Sequence, residues 1–374
     1  AYMDSACMSL KPIQVLDSLE KYYKKYTACG GRSMHSLSKK VDLGVESARK
    51  AIKKFINAND ANEIIFTKNT TEGINLLSRS FNFEKTDVVL TTDKEHNSNL
   101  IPWQINGKIR HKHIETKNGK INTGEFKEKV KDARLASMVH TSNLDGTTID
   151  AEKIINIAHD NNCLVHLDCA QSIPHKDLNV KKLGADFITF SGHKMLGPTG
   201  TGVFYGKMEY LERLNPFLVG GETVKNSTYK TREFEEIPHK FEAGLQHYAG
   251  IIGLKEAVNY LKNVKMKNIQ KHEIELNKFL TEELKEKVNI LGPERAEDRG
   301  SVFSFTVDGV DNHEIALMLN EQDVMVRSGM HCVHSWFNNN NLDGSVRASL
   351  YLYNSKEDCK KFTEKLKDII EINK

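Results

Sequence analysis

The 374-residue sequence predicts an α/β protein whose larger part is built on a mainly parallel sheet. Short apolar runs typical of buried strands alternate with helical segments across residues 63–205. Polar side chains follow several of these runs at their ends, where ligands bind in parallel sheets. Residues 301–307 and 346–351 alternate as strands of a smaller α+β domain. The length allows two domains with well-buried cores.

The predicted elements follow from the spacing of apolar residues: three and four apart in helices, and short continuous or alternating runs in strands. The predicted strands cover residues 63–67, 88–91, 135–140, 163–167 and 187–190, with a further strand ending at residue 205. The first predicted helix follows Pro12, the second covers residues 41–56, and the third starts at residue 69. Further helices are predicted over residues 151–161, 251–288, 312–320 and 356–372. We assign residues 15–250 to the large domain, and residues 1–14 with 251–374 to the small one. We expect the helix over 251–288 to be a solvated connection between the two domains.

Composition excludes several classes of function. The 53 Lys and Arg residues nearly balance 50 Asp and Glu residues, for a net charge of +3, which is no basis for binding nucleic acid. No apolar run approaches the roughly 20 residues of a membrane helix, and the N-terminus lacks the blocks of a signal peptide. The six cysteines are scattered, as in reduced proteins. We therefore expect a cytoplasmic protein without membrane or nucleic-acid partners. Since the chain begins at Ala1 without an initiator Met, we also expect a few residues to be missing from its N-terminus.

The segment over residues 186–205 carries the most specific chemistry. A buried strand ends in Ser191, His193 and Lys194, and a glycine-rich bend follows. An amine at the end of a buried strand can be desolvated, which favours the neutral form that makes a Schiff base. Ser191 and His193 could hold an anion such as phosphate. A solvated lysine in a hairpin turn is the alternative. A P-loop is excluded because its lysine must follow the glycines, and a dinucleotide fingerprint is excluded because it needs the spacing G-x-G-x-x-G.

The sequence S-G-H-K at 191–194, followed by G-P-x-G-x-G at 197–202, resembles the cofactor-lysine segment of class V aminotransferase-like pyridoxal phosphate (PLP) enzymes. The resemblance covers nearly the whole chain and is strongest to group II (Suf-type) cysteine desulfurases and selenocysteine lyases. It implies a fold-type I PLP-dependent transferase with PLP as cofactor. It also implies that Lys194 carries the cofactor.

The resemblance places further residues around the phosphate and the ring of PLP. Thr70 and Thr71 open a helix, where free backbone N–H groups form the anion site that the family uses for phosphate. An ordinary threonine N-cap has the same geometry. His96 matches the family histidine that stacks on the pyridine ring and relays protons. Asn143 matches the asparagine that bonds to the ring hydroxyl and to the substrate.

A buried strand terminates at Asp168, with Gln171 three residues later among the predicted cofactor contacts. PLP is an electron sink only while its ring nitrogen is protonated, and a buried carboxylate against that nitrogen keeps it so. Asp168 could instead only cap the next helix. The family order, in which a strand with the aspartate precedes the strand with Lys194, favours contact with the ring nitrogen.

Two loops are predicted to complete the site. Residues 32–38 match the family segment R-x-x-H-x-L-S, which lines the substrate pocket through His35, although a lone loop histidine is commonly just solvated. Gly244 lies in K-F-E-A-G, which matches the family segment that reaches into the neighbouring subunit. The resemblance therefore implies a homodimer with shared active sites.

The sequence R-S-G-M-H-C at 327–332 resembles the loop whose cysteine, here Cys332, accepts sulfur from the substrate. Only the thiolate is nucleophilic, and we expect the neighbouring His331 and His334 to favour it. Arg347 matches the arginine that binds the substrate carboxylate bidentately. A metal site at these histidines has poor zinc spacing, and an inert buried cysteine is the other alternative.

Three residues depart from the family pattern. Leu245 stands where a threonine usually offers the phosphate a hydroxyl from the partner subunit, Met330 replaces a common histidine, and Asp145 interrupts the usual apolar S-N-x-x-G. We expect these positions to affect PLP affinity and the chemistry of the loop.

The resemblance implies a cysteine desulfurase that converts L-cysteine to L-alanine. The sulfur would remain as a persulfide on Cys332 for an acceptor protein in sulfur-cofactor (iron–sulfur) assembly. A selenocysteine lyase, transaminase or epimerase of the same class is the alternative within PLP enzymes. A non-catalytic sulfur carrier or scaffold is the alternative from another class. The presence together of Asp168, Lys194, Cys332 and Arg347 argues against it, since a scaffold would need none of them.

Overall fold

The structure, a computed structural model, describes residues 1–117 and 119–373; Lys374, the end of the predicted small domain, lies outside them. The helices are α1 (Ile13–Lys25), α2 (Ser36–Ile56), α3 (Thr70–Ser80), α4 (Ile101–Gln104), α5 (Thr123–Lys129), α6 (Ala151–His159), α7 (Val180–Leu183), α8 (Met208–Leu211), α9 (Tyr248–Val264), α10 (Met266–Leu284), α11 (Ala296–Arg299), α12 (Asn312–Glu321), α13 (His334–Asn339) and α14 (Lys356–Ile372). The strands are β1 (Ile64–Thr67), β2 (Val88–Thr92), β3 (Arg110–Ile114), β4 (Thr116–Lys117), β5 (Lys120–Ile121), β6 (Ala133–Val139), β7 (Leu164–Asp168), β8 (Phe187–Ser191), β9 (Gly202–Gly206), β10 (Val224–Ser227), β11 (Arg232–Phe234), β12 (Asn289–Ile290), β13 (Val302–Thr306), β14 (Arg327–Gly329) and β15 (Ser345–Ser349).

A seven-stranded sheet in the order β1-β9-β8-β7-β6-β2-β3 forms the centre of the molecule. Only β9 runs against its neighbours, so the predicted mainly parallel sheet is confirmed. The carboxyl ends of β2, β6, β7 and β8 consequently lie at one edge of the sheet. Strands β7 and β8 are almost entirely buried, which explains their continuous apolar sequences.

Strand β3 is an element that the sequence analysis missed. Its sequence, R-H-K-H-I, contains a single fully buried residue, Ile114, because β3 lies at the edge of the sheet. An edge strand with one solvated side needs no apolar run, so the pattern that predicted its neighbours is absent here.

The predicted solvated helix over residues 251–288 is wrong in two respects. It is two helices, α9 and α10, and the chain breaks between them at Lys265, whose φ is +73°. Helix α9 is also buried: Leu254, Ala257 and Val258 are inaccessible to solvent and share a core with residues of the central sheet. A core helix and a surface helix have the same period, so the burial of α9 depends on what packs around it.

The smaller sheet has the order β12-β13-β15-β14 and is antiparallel throughout. Side chains of α10, α12 and α14 pack against this sheet in one hydrophobic core, which also includes Met3. The N-terminal segment reaches this sheet through bridges from Tyr2 to Met325 and from Asp4 to Ser349. The α+β character of this part is therefore confirmed, while the domain boundaries at residues 15 and 251 stay predictions.

Within the described ranges, no helix combines the length and the apolar character that crossing a bilayer requires.

Candidate active site

A cavity of about 190 Å³ lies where the carboxyl ends of β6, β7 and β8 face strands β14 and β15 of the smaller sheet. Every predicted site residue lines it except His35 and Gly244. Those that line it are Thr70, Thr71, His96, Asn143, Asp168, Gln171, Ser191, His193, Lys194, Cys332 and Arg347. The fold thus gathers residues from widely separated segments around one space.

Lys194 ends the tight turn that follows β8. The turn needs Gly192, because a Cβ there would lie 2.4 Å from the hydroxyl oxygen of Thr201. Burial lowers the pKa of Lys194, Asp168 opposes that shift, and Arg347 adds to it. The amine is therefore biased toward the neutral form that nucleophilic chemistry requires.

Asp168 is the last residue of β7 and is 3 % exposed. Its Oδ1 accepts a hydrogen bond from the backbone N–H of Ala170 at 2.9 Å. Burial raises the pKa of this carboxyl, and the Ala170 bond and Lys194 oppose the shift. A buried carboxyl of this kind gains from a cationic partner, such as a protonated ring nitrogen.

Hydroxyl groups cluster at the N-terminus of α3. The backbone N–H of Thr70 donates to Ser191 Oγ at 2.9 Å, and the two side-chain hydroxyls share a hydrogen bond of 2.7 Å. Thr71 and Ser98 share another of 2.7 Å. The N-cap is Asn69, whose side chain accepts from the backbone N–H of Glu72, so the alternative of an ordinary threonine N-cap is wrong. The phosphate site at Thr70 and Thr71 stays a prediction. Ser98 was not predicted as a site residue, since nothing in its local sequence distinguishes it.

The imidazole of His96 is held neutral. Burial lowers its pKa to about 3, and the charges of Lys194 and Arg347 add to the shift. Its Nδ1 accepts a hydrogen bond from the backbone N–H of Ser98 at 3.0 Å. The neutral ring therefore carries its proton on Nε2.

The loop that carries Cys332 has a constrained backbone. His331 and Cys332 both lie in the left-handed region, with φ of +50° and +61°. Such conformations cost energy in residues other than glycine and persist only where the surroundings hold them. Here the Asn97 N–H donates to the carbonyl of Cys332 and the Asn143 side chain donates to that of His331, each at 2.7 Å. The loop is thus tied to the segments that follow β2 and β6.

The expected role of His331 is not supported. Burial lowers the pKa of His331 to about 2, and Arg347 and Arg327 contribute to the shift. A neutral imidazole supplies no positive charge to Cys332. The Nδ1 of His334 shares a hydrogen bond of 2.9 Å with the Asn97 side chain. The guanidinium groups of Arg327 and Arg347 are cations that do share the cavity with Cys332.

Arg347 lies in β15 and is 2 % exposed. One terminal nitrogen donates to the carbonyl of Asn143 at 2.9 Å, and the other lies 3.3 Å from Asp4 Oδ1. Its buried Nε has no hydrogen-bond partner among the described residues. The guanidinium is therefore held in place and still has N–H donors available for a ligand.

Arg327 and Cys7 are cavity residues to which the sequence analysis gave no role. Arg327 pairs directly with Arg347 across strands β14 and β15, and it donates to the sulfur of Cys7 at 2.9 Å. No local signal links Cys7 to Arg327, because 320 positions separate them in the chain.

The two remaining predicted residues lie away from the cavity. His35 is exposed and caps α2, where its Nδ1 accepts from the backbone of Ser38 at 3.2 Å. Gly244 adopts φ of +71° and donates to the carbonyl of Gly221 at 2.8 Å. Its neighbour Leu245 is 69 % exposed. Both predicted roles stay predictions, and that of Gly244 requires a second subunit.

The cavity residues fit PLP. An amine biased toward neutrality, a buried carboxyl and a cluster of hydroxyls at a helix N-terminus are the three groups that its aldehyde, ring nitrogen and phosphate require. Gln171 adds a buried carboxamide whose oxygen has no partner among the described residues, while its nitrogen donates to the carbonyl of Ala6 at 2.6 Å. Gln171 lines the cavity, and a buried polar atom of this kind normally has a hydrogen-bond partner.

Comparison with known proteins agrees with this geometry. The chain matches the model of the family Aminotransferase class-V over residues 1–362. It is 37% identical to a probable cysteine desulfurase of Halalkalibacterium halodurans over 96% of this chain and 90% of that protein. It is 36% identical to a cysteine desulfurase of Haloferax volcanii over 97% of this chain and 88% of that one. The apo cysteine desulfurase of Thermococcus onnurineus superposes with a TM-score of 0.96 at 35% identity, over 99% of this chain and 94% of that structure.

The chain therefore belongs to the aminotransferase class-V family, whose cofactor is PLP. Within that family the relatives named above are described as cysteine desulfurases or probable cysteine desulfurases, which is the activity that the sequence predicted.

Proposed function

We propose that this chain is a PLP-dependent cysteine desulfurase that converts L-cysteine to L-alanine and holds the sulfur as a persulfide on Cys332. The observation that carries the proposal is that Asp168, Lys194, Cys332 and Arg347 line one cavity although they come from separate segments of the chain. The similarity to enzymes named cysteine desulfurase supports the choice of reaction.

PLP, when bound, supplies an electron sink for negative charge at the substrate Cα. Asp168 would hold the ring nitrogen in its protonated form, and Lys194 would carry the cofactor. The hydroxyls at the start of α3 would bind the phosphate. The residues proposed to hold PLP are Thr70, Thr71, His96, Asn143, Asp168, Gln171, Ser191, His193 and Lys194.

Arg347 would bind the carboxylate of L-cysteine. The contact with Asp4 is long and is made by one terminal nitrogen, and among the residues that the structure describes Nε has no partner. A carboxylate could therefore take two parallel N–H donors. The second terminal nitrogen is held by the carbonyl of Asn143. Asn143 thus orients the guanidinium and also fixes the Cys332 loop through His331.

We assign the removal of the proton from the substrate Cα to Lys194 Nζ. Burial favours the neutral amine, and a neutral amine is the form that can accept a proton. His96, whose proton lies on Nε2, can donate a hydrogen bond but has no tendency to become charged near neutral pH.

Cys332 would take the sulfur by a displacement like thiol exchange. A bond forms between Cys332 Sγ and the substrate sulfur as the Cβ–S bond breaks, and the electron pair of that bond stays on Cβ. Cβ then takes a proton and becomes the methyl group of alanine. L-cysteine and one thiol thus give L-alanine and one persulfide, with no external oxidant.

A homodimer is proposed from the surface around Gly244. Leu218, Val219 and Leu245 are apolar and 43 %, 64 % and 69 % exposed in the single chain. A group of exposed apolar side chains marks an interaction surface, and a second copy would bring Gly244 to the partner's site. An acceptor protein is proposed to collect the sulfur from the persulfide.

The test is to incubate holoenzyme with L-cysteine and to measure alanine together with the mass of the peptide containing Cys332. Alanine release and one additional sulfur atom on that peptide are expected. The Cys332→Ser variant should lose most alanine production from cysteine while its cofactor spectrum still responds to substrate. Cys29→Ser is the matched control, because Cys29 is exposed and lies outside the cavity. Wild-type alanine production by Cys332→Ser would refute the role of Cys332.

A further inference from the structure

The active-site cavity contains a second thiol, that of Cys7, besides that of Cys332. Both side chains are partly accessible, whereas Cys163, Cys169 and Cys359 are buried in the cores. Burial raises the pKa of these last three thiols, which suits inert packing. Cys7 is therefore placed like a reactive cysteine rather than like a structural one.

The segment that carries Cys7 is anchored on both sides. Before it, the carbonyl of Ala6 accepts from Gln171 at 2.6 Å, and the backbone N–H of Ala6 donates to Ser349 Oγ at 3.0 Å. After it, the backbone N–H of Ser9 donates to the carbonyl of His193 at 3.0 Å. These contacts tie the segment to the turn that holds Lys194, so Cys7 has a defined place on the cavity wall.

Arg327 supplies the second feature of this site. Its guanidinium lies 2.9 Å from the sulfur of Cys7, and its own strand leads within five residues to Cys332. A cationic donor at this distance can hydrogen-bond a terminal sulfur that carries negative charge. Arg347, on the neighbouring strand, lines the same cavity, and its buried Nε has no hydrogen-bond partner in the described part of the chain. A persulfide formed on Cys7 would thus lie next to the positively charged guanidinium of Arg327.

We propose that Cys7 is a second sulfur-carrying residue, which takes the outer sulfur from the Cys332 persulfide. In this step Cys7 Sγ bonds to the outer sulfur and the S–S bond to Cys332 breaks. The electron pair of that bond leaves on Cys332 Sγ, and the proton of the Cys7 thiol passes to Cys332. The products are a Cys7 persulfide and a free Cys332 thiol, without oxidant or reductant. Cys332 can then desulfurate another L-cysteine before an acceptor arrives.

This inference rests on the proposed function, and one experiment separates the two. Holoenzyme is mixed with excess L-cysteine without an acceptor or added thiol, and alanine is counted per chain in the initial burst. Samples quenched over time are alkylated and digested, and extra sulfur is located by mass spectrometry. Basic residues separate the tryptic peptides of Cys7, Cys29 and Cys332. The exposed Cys29 reports sulfur that reaches thiols through solution.

We expect the wild-type burst to be about two alanines per chain, because two thiols load, and that of Cys7→Ser to be about one. Sulfur should appear first on Cys332 and later on Cys7, with little on Cys29. In Cys332→Ser neither peptide should gain sulfur. The wild-type time course needs no variant, so a Cys7→Ser protein that fails to fold does not prevent the test.

A wild-type burst of one alanine with sulfur confined to Cys332 would overturn the relay and leave the desulfurase intact. A disulfide between the Cys7 and Cys332 peptides with release of sulfide would overturn it too, since the inner sulfur would then be attacked. Equal labelling of Cys29 and Cys7, or sulfur on Cys7 in Cys332→Ser, would also contradict it. Absence of alanine would refute the desulfurase itself.

Discussion

Replacing Lys94 with Met should destabilise the fold strongly, because it leaves a buried carboxylate without its cation. The Lys94 ammonium contacts the carboxylate of Asp145, and the side chains are 8 % and 1 % exposed. Asp145 Oδ1 also accepts from the N–H and the hydroxyl of Thr147, at 3.1 and 2.7 Å. The pair joins the turn before His96 to the segment after Asn143.

The expected magnitude follows from the burial of both charges. Removing one partner of a buried pair costs about 3–5 kcal/mol, and the two hydrogen bonds from Thr147 place Lys94→Met toward the lower end. Asp145→Leu should cost a similar amount, since it leaves the ammonium buried. The double variant replaces the pair by apolar side chains beside Leu144 and Trp336, so it should cost less than either single change.

The assay is urea unfolding of the holoenzyme, the two single variants and the double variant at one PLP concentration. Lys24→Met is the matched control, because Lys24 and Glu20 form an exposed pair whose loss should change the free energy of unfolding far less. Catalysis should fall with Lys94→Met as well, through displacement of His96. The reasoning is refuted if Lys94→Met costs no more than Lys24→Met, or if the costs of the single changes add in the double variant.

Four further outcomes are expected. Borohydride reduction of the holoenzyme should fix the cofactor on Lys194, and label on another lysine would refute its role. Arg347→Lys should raise the KM for L-cysteine by roughly tenfold or more, because a bidentate contact is lost; an unchanged KM would place the carboxylate elsewhere. Leu245→Thr should tighten PLP binding by roughly ten- to a hundredfold, from a hydrogen bond of about 1.5–3 kcal/mol to the phosphate, and an unchanged Kd would mean that another group fills the role. Burial lowers the pKa of His166 to about 3, below the unfolded value of 6.5, so stability is full above pH 6.5 and falls as the pH drops toward 3. His166→Gln should reduce the pH dependence of the free energy of unfolding by up to about 1.4 kcal/mol per pH unit. The measurement is the free energy of unfolding between pH 7 and pH 5.

The sequence by itself determined the strand-end residues of the site. Asp168 and Lys194 each follow a buried apolar run, and parallel strands bring such positions to one edge. Arg347 and Cys332 were found by motif, and the small sheet places both at the same cavity. These predictions depend on local pattern, which the chain carries without reference to its neighbours in space.

Burial and charge at the site were decided only by the tertiary structure. His331 is neutral because it is enclosed near two guanidinium groups, and its sequence position next to Cys332 reveals neither. Helix α9 is a core helix because other elements cover it, although its period would also suit a surface helix. Desolvation is a property of the assembled molecule, so a pattern of residue types cannot contain it.

The contact between Cys7 and Arg327, which are far apart in the chain, was likewise decided only by the tertiary structure. It forms because the N-terminal segment bridges to strand β15 through Asp4 and Ser349, which brings residue 7 beside residue 327. The ion pair of Lys94 with Asp145 is likewise made by two loops that follow different strands. Each residue alone is an ordinary polar side chain in a loop, and its chemistry comes from a partner that only the folded chain supplies.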